Sequence, residues 1–324
     1  MKGSSVAVFR CLLITASFAF GIGAADAQQK TVAITFDDLP YVIDADHDSS
    51  APMPDDDVVA LNQRILAALR RNDTPAIGFV IERTVQSLAR DVARRLLAAW
   101  TEGDFSLGNH TYSHADTNGL ALVAIADEID KGAATIAPLM ASAGKRLRFV
   151  RFPMNHTGET PQRRDAITAL LRARGYDLAA STIDTSDYVF DRAYGRALAL
   201  GRADEARRIK DAYLAHTAFQ IDYYADLNRR VLGYAPPQIM LLHLNRLNGD
   251  SVPDILSLFG RKGYRFVTLE AAQSDPAYRP LSGFATPFGP MWGYRWARER
   301  GVAVDGRLEQ EPPSWVVRYP VAVD

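Results

Sequence analysis

The chain has 324 residues, of which 48% are hydrophobic and 23% charged, the proportions of a folded protein with a sizeable core and not of a disordered chain. Lys and Arg number 37 against 38 for Asp and Glu, so no positive excess points to nucleic acid or to an anionic membrane surface. The single cysteine excludes an intramolecular disulfide and a cysteine-based zinc site, so histidine and carboxylate side chains must hold any bound metal.

The first 27 residues have the pattern of a secretory signal peptide. Lys2 and Arg10 precede an apolar run over Cys11–Gly23, and a small-residue motif, Ala-Asp-Ala, ends at Ala27. The run is shorter than the ~20 apolar residues that span a bilayer, and no later stretch reaches that length. We therefore expect residues 1–27 to be removed on export to the periplasm or the extracellular space, with no stable membrane anchor. An uncleaved N-terminal anchor is the alternative.

From Thr31 onward, seven short apolar runs alternate with helical patterns, which predicts a parallel sheet covered by helices. The predicted strands are Thr31–Phe36, Ala76–Ile81, Phe105–Leu107, Leu147–Phe152, Asp177–Ile183, Gln238–Leu244 and Tyr264–Leu269. This alternation predicts an α/β fold whose sheet is open or closed into a barrel, and seven strands in one domain of this size favour a barrel, complete or incomplete.

Two segments depart from this alternation. A helical insertion is predicted over 190–237, with two helices at Arg196–Thr217 and Phe219–Leu232. Residues 281–324 are rich in Pro, Gly and aromatic side chains, which predicts a tail that wraps the domain. Residues 28–280 are therefore expected to form one domain.

Polar side chains collect at the predicted carboxyl ends of the strands, where parallel α/β sheets and barrels place their sites. They are Asp37 and Asp38 after the first strand, His110 and His114 after the third, Arg151 at the fourth, Asp184 and Asp187 after the fifth, and His243 in the sixth. The two histidines at 110 and 114 are expected to share one face of a helical turn. Two imidazoles and one carboxylate would hold a catalytic metal and leave one position free for water.

Each motif is weak alone, because His-x-x-x-His pairs arise by chance and adjacent acidic residues often cap a helix or face solvent. Their joint occurrence at the strand ends favours a single hydrolytic metal site.

The order and spacing of five blocks resemble the motifs of the NodB-homology polysaccharide deacetylases, which form carbohydrate esterase family four. The blocks are Thr35-Phe36-Asp37-Asp38, His110-Thr111-x-x-His114, Arg151-x-Pro153, Asp184-x-x-Asp187-Tyr188 and Leu242-His243. The resemblance implies a distorted (β/α) barrel. It also implies a hydrolase that removes acetyl groups from a poly- or oligosaccharide, either an N-acetylglucosamine polymer or acetylated xylan.

The resemblance further implies roles for individual residues. Asp38, His110 and His114 would hold a divalent cation, zinc in the first place, with cobalt or nickel as alternatives. Asp37 would act as general base and His243 as general acid. Arg151 would keep the base ionised, and the Asp184–Asp187 segment would orient and charge the acid.

Other residues are expected to face the acetylated glycan. By resemblance, Leu242 would line the pocket for the acetyl methyl group, and the backbone N–H of Met154 would help stabilise the oxyanion. Tyr188 stands where the family more often has Trp. His156 follows the fourth strand directly and could reach the substrate, although a turn residue bonded to its own backbone is the alternative.

The chain departs from the family pattern at several positions. Leu39-Pro40 replaces the Gly after the acidic pair, Met154-Asn155 replaces Tyr-Gly, and Leu244 replaces the Asp after the late histidine. These changes leave the metal and acid–base residues intact and indicate a subfamily with its own groove.

Two other functions are compatible with the sequence. A hydrolase of a small cyclic amide or imide would keep the metal site and change the bond, but the export signal argues against it. A catalytically inactive carbohydrate-binding protein is the second alternative, against which the intact set of predicted catalytic residues argues.

Overall fold

The computed structural model describes residues 29–42, 53–279 and 283–320, together with Met1 and Gly3. The predicted signal peptide, apart from those two residues, lies outside the described part of the chain.

The strands are placed where the sequence predicts them. They are β1 (Thr31–Leu39), β2 (Ala76–Val80), β3 (Phe105–Asn109), β4 (Phe149–Val150), β5 (Asp177–Leu178), β6 (Gln238–His243) and β7 (Arg265–Phe266). All their pairings are parallel, in the order β5-β4-β3-β2-β1-β6, and β7 pairs with the first two residues of β1. β1 is central, and its residues after Thr31 are all buried, as the continuous apolar pattern predicts.

The two ends of the curled sheet meet just beyond β5. Ile183 forms a parallel bridge with Met240 of β6, and the backbone N–H of Leu241 donates to the Ile183 carbonyl at 3.0 Å. This closure confirms the predicted distorted (β/α) barrel.

Helices surround the sheet. They are α1 (Asp55–Arg71), α2 (Glu82–Val85), α3 (Arg90–Ala99), α4 (Leu122–Gly132), α5 (Ile136–Ser142), α6 (Pro161–Ala173), α7 (Asp187–Ala199), α8 (Ala203–Leu232), α9 (Arg246–Arg261), α10 (Leu269–Ala272), α11 (Trp292–Glu299) and α12 (Ser314–Arg318). Their buried residues form apolar stripes; α1, for example, buries Val58, Leu61, Ile65 and Leu69. The long helix α8 packs on α7, α9 and α11.

The helical insertion differs from the prediction in its boundaries. The chain breaks at Gly201, which has φ +67°, and α8 then runs without interruption through residue 218, where a break between two helices is predicted. Glycine adopts left-handed backbone without steric cost, whereas nothing at residue 218 interrupts helical hydrogen bonding. The predicted split at 218 is therefore wrong.

The described part of the C-terminal tail packs on the barrel. Trp292 and Trp296 of α11 are buried, and the backbone N–H of Trp292 donates to the Ser181 carbonyl at 2.9 Å. Within the described residues, no helix combines the length and the apolar character that crossing a membrane requires.

Candidate active site

The two predicted metal-binding histidines lie on a loop after β3, so the predicted helical turn is wrong. Thr111 has φ +71° and His114 has φ +60°, left-handed values that reverse the chain within a few residues. Asn109 fixes the loop, since its Oδ1 accepts the backbone N–H of Thr111 at 2.8 Å. Gly132 of α4 lets the helix approach, because a Cβ there would lie 2.5 Å from Asn109 Oδ1. The imidazoles thus converge, with ring centroids 5.1 Å apart, through loop geometry.

Asp38 completes a three-residue cluster with these histidines. Its Oδ1 lies 3.3 Å from the Nε2 atoms of both His110 and His114. This oxygen is buried and accepts no hydrogen bond from the described residues. Asp38 itself has φ +64°, a costly conformation for a residue other than glycine, which turns its carboxylate toward β3.

The spacing and protonation of this cluster suit a divalent cation. A tetrahedral cation with bonds of about 2.0–2.1 Å places its ligand atoms about 3.3–3.4 Å apart. His110 Nδ1 donates to the Arg151 carbonyl at 2.8 Å, which leaves the Nε2 lone pair to face Asp38. An orphaned buried carboxylate oxygen between two imidazole nitrogens is a donor set that such a cation would satisfy.

The charges around this cluster are coupled. Burial alone would raise the pKa of Asp38, but its contacts with His110 and His114 hold that pKa well below its usual value. Burial alone would lower the pKa of His110, but the Asp37 and Asp38 carboxylates raise it. The two carboxylates therefore give the site a negative charge, which favours the binding of a cation.

Asp37 lies beside the cluster and is held by Arg151. The guanidinium donates to Asp37 Oδ1 at 2.8 Å, to Thr35 Oγ1 at 2.7 Å and to the Ala180 carbonyl at 2.8 Å. Both Arg151 and Asp37 are buried. The second carboxylate oxygen, Oδ2, lies 3.8 Å from His110 Nε2 and accepts no hydrogen bond from the described residues. Asp37 thus has one anchored oxygen and one available oxygen.

His243 stands opposite Asp37, because the two residues are register partners in β6 and β1. The Asp187 carboxylate accepts His243 Nδ1 and the His243 backbone N–H, each at 2.7 Å. Burial opposes protonation of His243, but the charge and hydrogen bond of Asp187 outweigh it and raise the pKa to about 10. The ring is thus a proton donor at neutral pH, with its Nε2 free of this carboxylate.

Asp184 is placed differently from Asp187. Its carboxylate accepts the backbone N–H of Ser186 at 2.9 Å, and burial raises its pKa to about 6. In the predicted orienting segment, the direct contact with His243 is made by Asp187.

The predicted substrate-facing residues differ in their exposure. Tyr188 and Met154 expose about half of their surface (51% and 46%), and the Tyr188 ring lies edge-on to His243 with centroids 6.1 Å apart. Leu242 is buried in the core. His156 Nδ1 pairs with Asp116 Oδ1 at 2.7 Å, which fixes its ring at the rim. Roles in substrate binding remain predictions for all four residues.

Sequence reasoning missed Asn248. Its side-chain amide donates to Asp187 and to the His243 carbonyl, the latter at 2.8 Å, and it is fully buried. The only signal is indirect: Asn245 caps α9, accepting the Asn248 backbone N–H at 2.8 Å, so the first turn of that helix returns to the end of β6.

A closed parallel sheet with an Asp-His-His cluster at its carboxyl rim, an anchored carboxylate and a carboxylate-bound histidine defines a (β/α)-barrel protein with a candidate hydrolytic metal site. Residues 24–177 match the family described as Polysaccharide deacetylase, which confirms the predicted resemblance over this segment. The matched segment contains Asp37, Asp38, His110, His114 and Arg151, while Asp187 and His243 lie beyond it.

Individual proteins are similar to parts of this chain. The chain is 30% identical to a chitin deacetylase of Arthroderma benhamiae over 158 residues, 49% of this chain and only 35% of that protein's length. A mutant of a Bacillus anthracis carbohydrate esterase family 4 pseudoenzyme, with restored enzymatic activity, superposes with a TM-score of 0.51 at 18% identity, covering 76% of this chain and 68% of that one. A Bacillus cereus polysaccharide deacetylase gives a TM-score of 0.49 at 21% identity over 74% of this chain and 92% of that one.

Proposed function

We propose that the protein is an exported, metal-dependent hydrolase that removes acetyl groups from a poly- or oligosaccharide, an N-acetylglucosamine polymer or acetylated xylan. One observation carries the proposal: the Asp38 carboxylate lies 3.3 Å from both histidine Nε2 atoms, with Asp37 and His243 on neighbouring strands beside it. The family of residues 24–177 supports it.

The residues that would hold a divalent cation are Asp38, His110 and His114. A divalent cation there would supply Lewis acidity and lower the pKa of a water to roughly 7. Zinc suits this nitrogen and oxygen donor set, and cobalt and nickel are alternatives.

Proton transfer is then divided between two side chains. Asp37 Oδ2, the oxygen that Arg151 leaves available, accepts the proton of the attacking water. His243, protonated at neutral pH, donates to the departing amine or hydroxyl. The Met154 N–H has no acceptor among the described residues and is the proposed donor to the developing oxyanion.

Other features support export and an acetylated glycan as the substrate. The predicted signal peptide at residues 1–27 supports a periplasmic or extracellular location, where acetylated glycans occur as polymers. The exposed Tyr188 and Met154 side chains beside the site are suited to contact a sugar.

The test is acetate release from chitin oligosaccharides, peptidoglycan and acetylated xylan by the metal-reconstituted protein, with Asp37→Asn as control. Release by the wild type and not by the variant supports the proposal. A metal-loaded protein that releases no acetate but hydrolyses cyclic imides would establish the amide alternative. Glycan binding with no turnover would establish an inactive carbohydrate-binding protein.

A further inference from the structure

The turn after β4 has an unusual backbone. Met154 and Asn155 both adopt left-handed conformations, with φ of +55° and +54°. Each such residue costs on the order of 1 kcal/mol or more and persists only where the surroundings impose it. The N–H groups of Asn155 and His156 are used within the turn, donating to Phe152 and Pro153 carbonyls at 3.1 and 3.2 Å, whereas that of Met154 is not. Something outside the turn must therefore hold this shape.

Arg295, on α11 of the C-terminal tail, contacts the turn directly. Its guanidinium donates to the Asn155 carbonyl and to Thr157 Oγ1, both at 2.8 Å. Its Nε donates to the Pro290 carbonyl at 3.0 Å, and the Trp292 ring lies 4.7 Å from the guanidinium carbon. Arg295 is only 1% exposed. Three donors of one planar group thus join the turn to the tail in a fixed geometry.

Burial of this charge is not explained by a carboxylate partner. The three hydrogen bonds of Arg295 all go to uncharged oxygen atoms. Burial lowers its pKa to about 10, with the more distant charge of Glu299 acting in the opposite direction. Burying a cation costs free energy, and two of the three hydrogen bonds that compensate this cost for Arg295 go to the turn after β4.

The tail backbone also lies against the turn. A Cβ at Gly289 would lie 1.7 Å from the Met154 carbonyl oxygen, so only glycine permits this approach. Asn118 Nδ2 donates to the Pro287 carbonyl at 2.9 Å, and the Thr286 N–H donates to the Gly158 carbonyl at 3.2 Å. The segment 286–295 therefore packs against the turn. This segment lies outside residues 24–177, which match the family.

We propose that Arg295 is a positioning residue for the deacetylation: by holding the Asn155 carbonyl, it keeps the Met154 N–H aimed at the oxyanion of the reacting acetyl group. The inference rests on the proposed function. The tail, which lies outside the family-matched segment, would thus help to orient the donor that stabilises the oxyanion.

The test compares Arg295→Met and Arg295→Lys with Arg164→Met in the full metal-loaded chain. Arg164 also contacts the tail, at the Gly283 carbonyl, and serves as the matched control. We expect kcat of Arg295→Met to fall ~10- to 100-fold, since a misplaced oxyanion donor costs rate and not ground-state binding. KM and metal content should stay within about twofold of the wild type, and Arg295→Lys should recover part of the lost kcat. Equal kcat values for Arg295→Met and Arg164→Met, or a loss of kcat that follows loss of metal, would overturn the inference.

Hydrogen exchange of residues 152–158 supplies a second readout that does not depend on turnover. We expect this segment to exchange faster in Arg295→Met than in Arg164→Met. Unchanged exchange overturns the positioning role. Absence of acetate release by the wild type would refute the proposed function instead, and the exchange measurement would still decide whether Arg295 holds the turn.

Discussion

Asp187 binds His243 at two points, accepting both its ring Nδ1 and its backbone N–H at 2.7 Å. The pairing fixes the tautomer and the orientation of the imidazole and keeps it charged. Burial alone would raise the pKa of Asp187, but the charge and hydrogen bond of His243 lower it, so the pair is an ion pair at neutral pH.

Asp187→Asn should remove the proton from His243 at neutral pH. Without the charge that opposes burial, the His243 pKa falls from about 10, so the ring can no longer act as an acid near pH 7. We expect kcat/KM at pH 7 to fall ~10²-fold or more. Since the protonated ring is the active form, activity is lost as pH rises through this pKa, and the alkaline limb of the pH profile should move to lower pH.

Asp184→Asn is the matched control for that experiment, because Asp184 lies in the same segment without touching His243. Its alkaline limb should stay near that of the wild type. An Asp187→Asn variant with an unshifted alkaline limb would show that His243 is not the acid.

Asn248→Ala should lower stability and activity together. The variant leaves Asp187 and the His243 carbonyl without a buried amide donor, at a cost of about 1–3 kcal/mol. Urea denaturation measures the loss, and acetate release measures its effect on turnover. Asn72→Ala, which removes an amide from the end of α1, should leave kcat unchanged. Equal kcat in both variants would mean that Asn248 has no influence on the acid.

His216 should make the protein sensitive to mild acid. It is buried in α8 beside Phe190, neither ring nitrogen has a partner among the described residues, and burial lowers its pKa to about 4. Between pH 6.5 and 4, His216 is protonated in the unfolded chain and neutral in the folded chain. The contribution of His216 to the free energy of unfolding is therefore constant above pH 6.5. As the pH falls from 6.5 toward 4, the free energy of unfolding decreases by at most about 3 kcal/mol.

His216→Phe removes this titration and keeps an aromatic ring. Urea unfolding at several pH values should show a smaller acid loss for the variant than for the wild type, with the metal ligands common to both. If the free energy of unfolding of the wild type and of His216→Phe changed with pH in the same way, His216 would not be a neutral buried residue.

Asp37→Asn should separate proton transfer from metal binding. Asp37 is held by Arg151 and is proposed to act only in proton transfer. Asp37→Asn should therefore lower the rate ~10²- to 10⁴-fold while the metal stays bound. His110→Ala should lose the metal as well as the activity. Elemental analysis beside acetate release distinguishes the two variants, and near wild-type turnover by Asp37→Asn would show that the base has been misassigned.

The positions of the strands and of the polar residues at their carboxyl ends could be predicted, because both depend on the local order of apolar and polar residues. Continuous apolar runs mark the buried strands, and polar residues directly after them must lie at the carboxyl edge. The apolar spacing of α1 likewise fixed its buried face. These features require no knowledge of distant contacts.

The remainder depends on contacts that the sequence does not encode locally. The meeting of His110 and His114 comes from left-handed backbone at Thr111, a β-branched residue for which that conformation is rare. Asn248 and Arg295 reach the site from helices far along the chain, the latter across 140 residues. Helical spacing alone could not place the break of the insertion at Gly201.

The most direct test of the metal site is the zinc content of the purified chain after reconstitution, compared between wild type, Asp38→Ala and the distant Asp91→Ala. We expect one equivalent of zinc in the wild type and in Asp91→Ala, and a large loss in Asp38→Ala, because one carboxylate oxygen faces both imidazole nitrogens. A full equivalent of zinc in Asp38→Ala, or none in the wild type, would contradict the site.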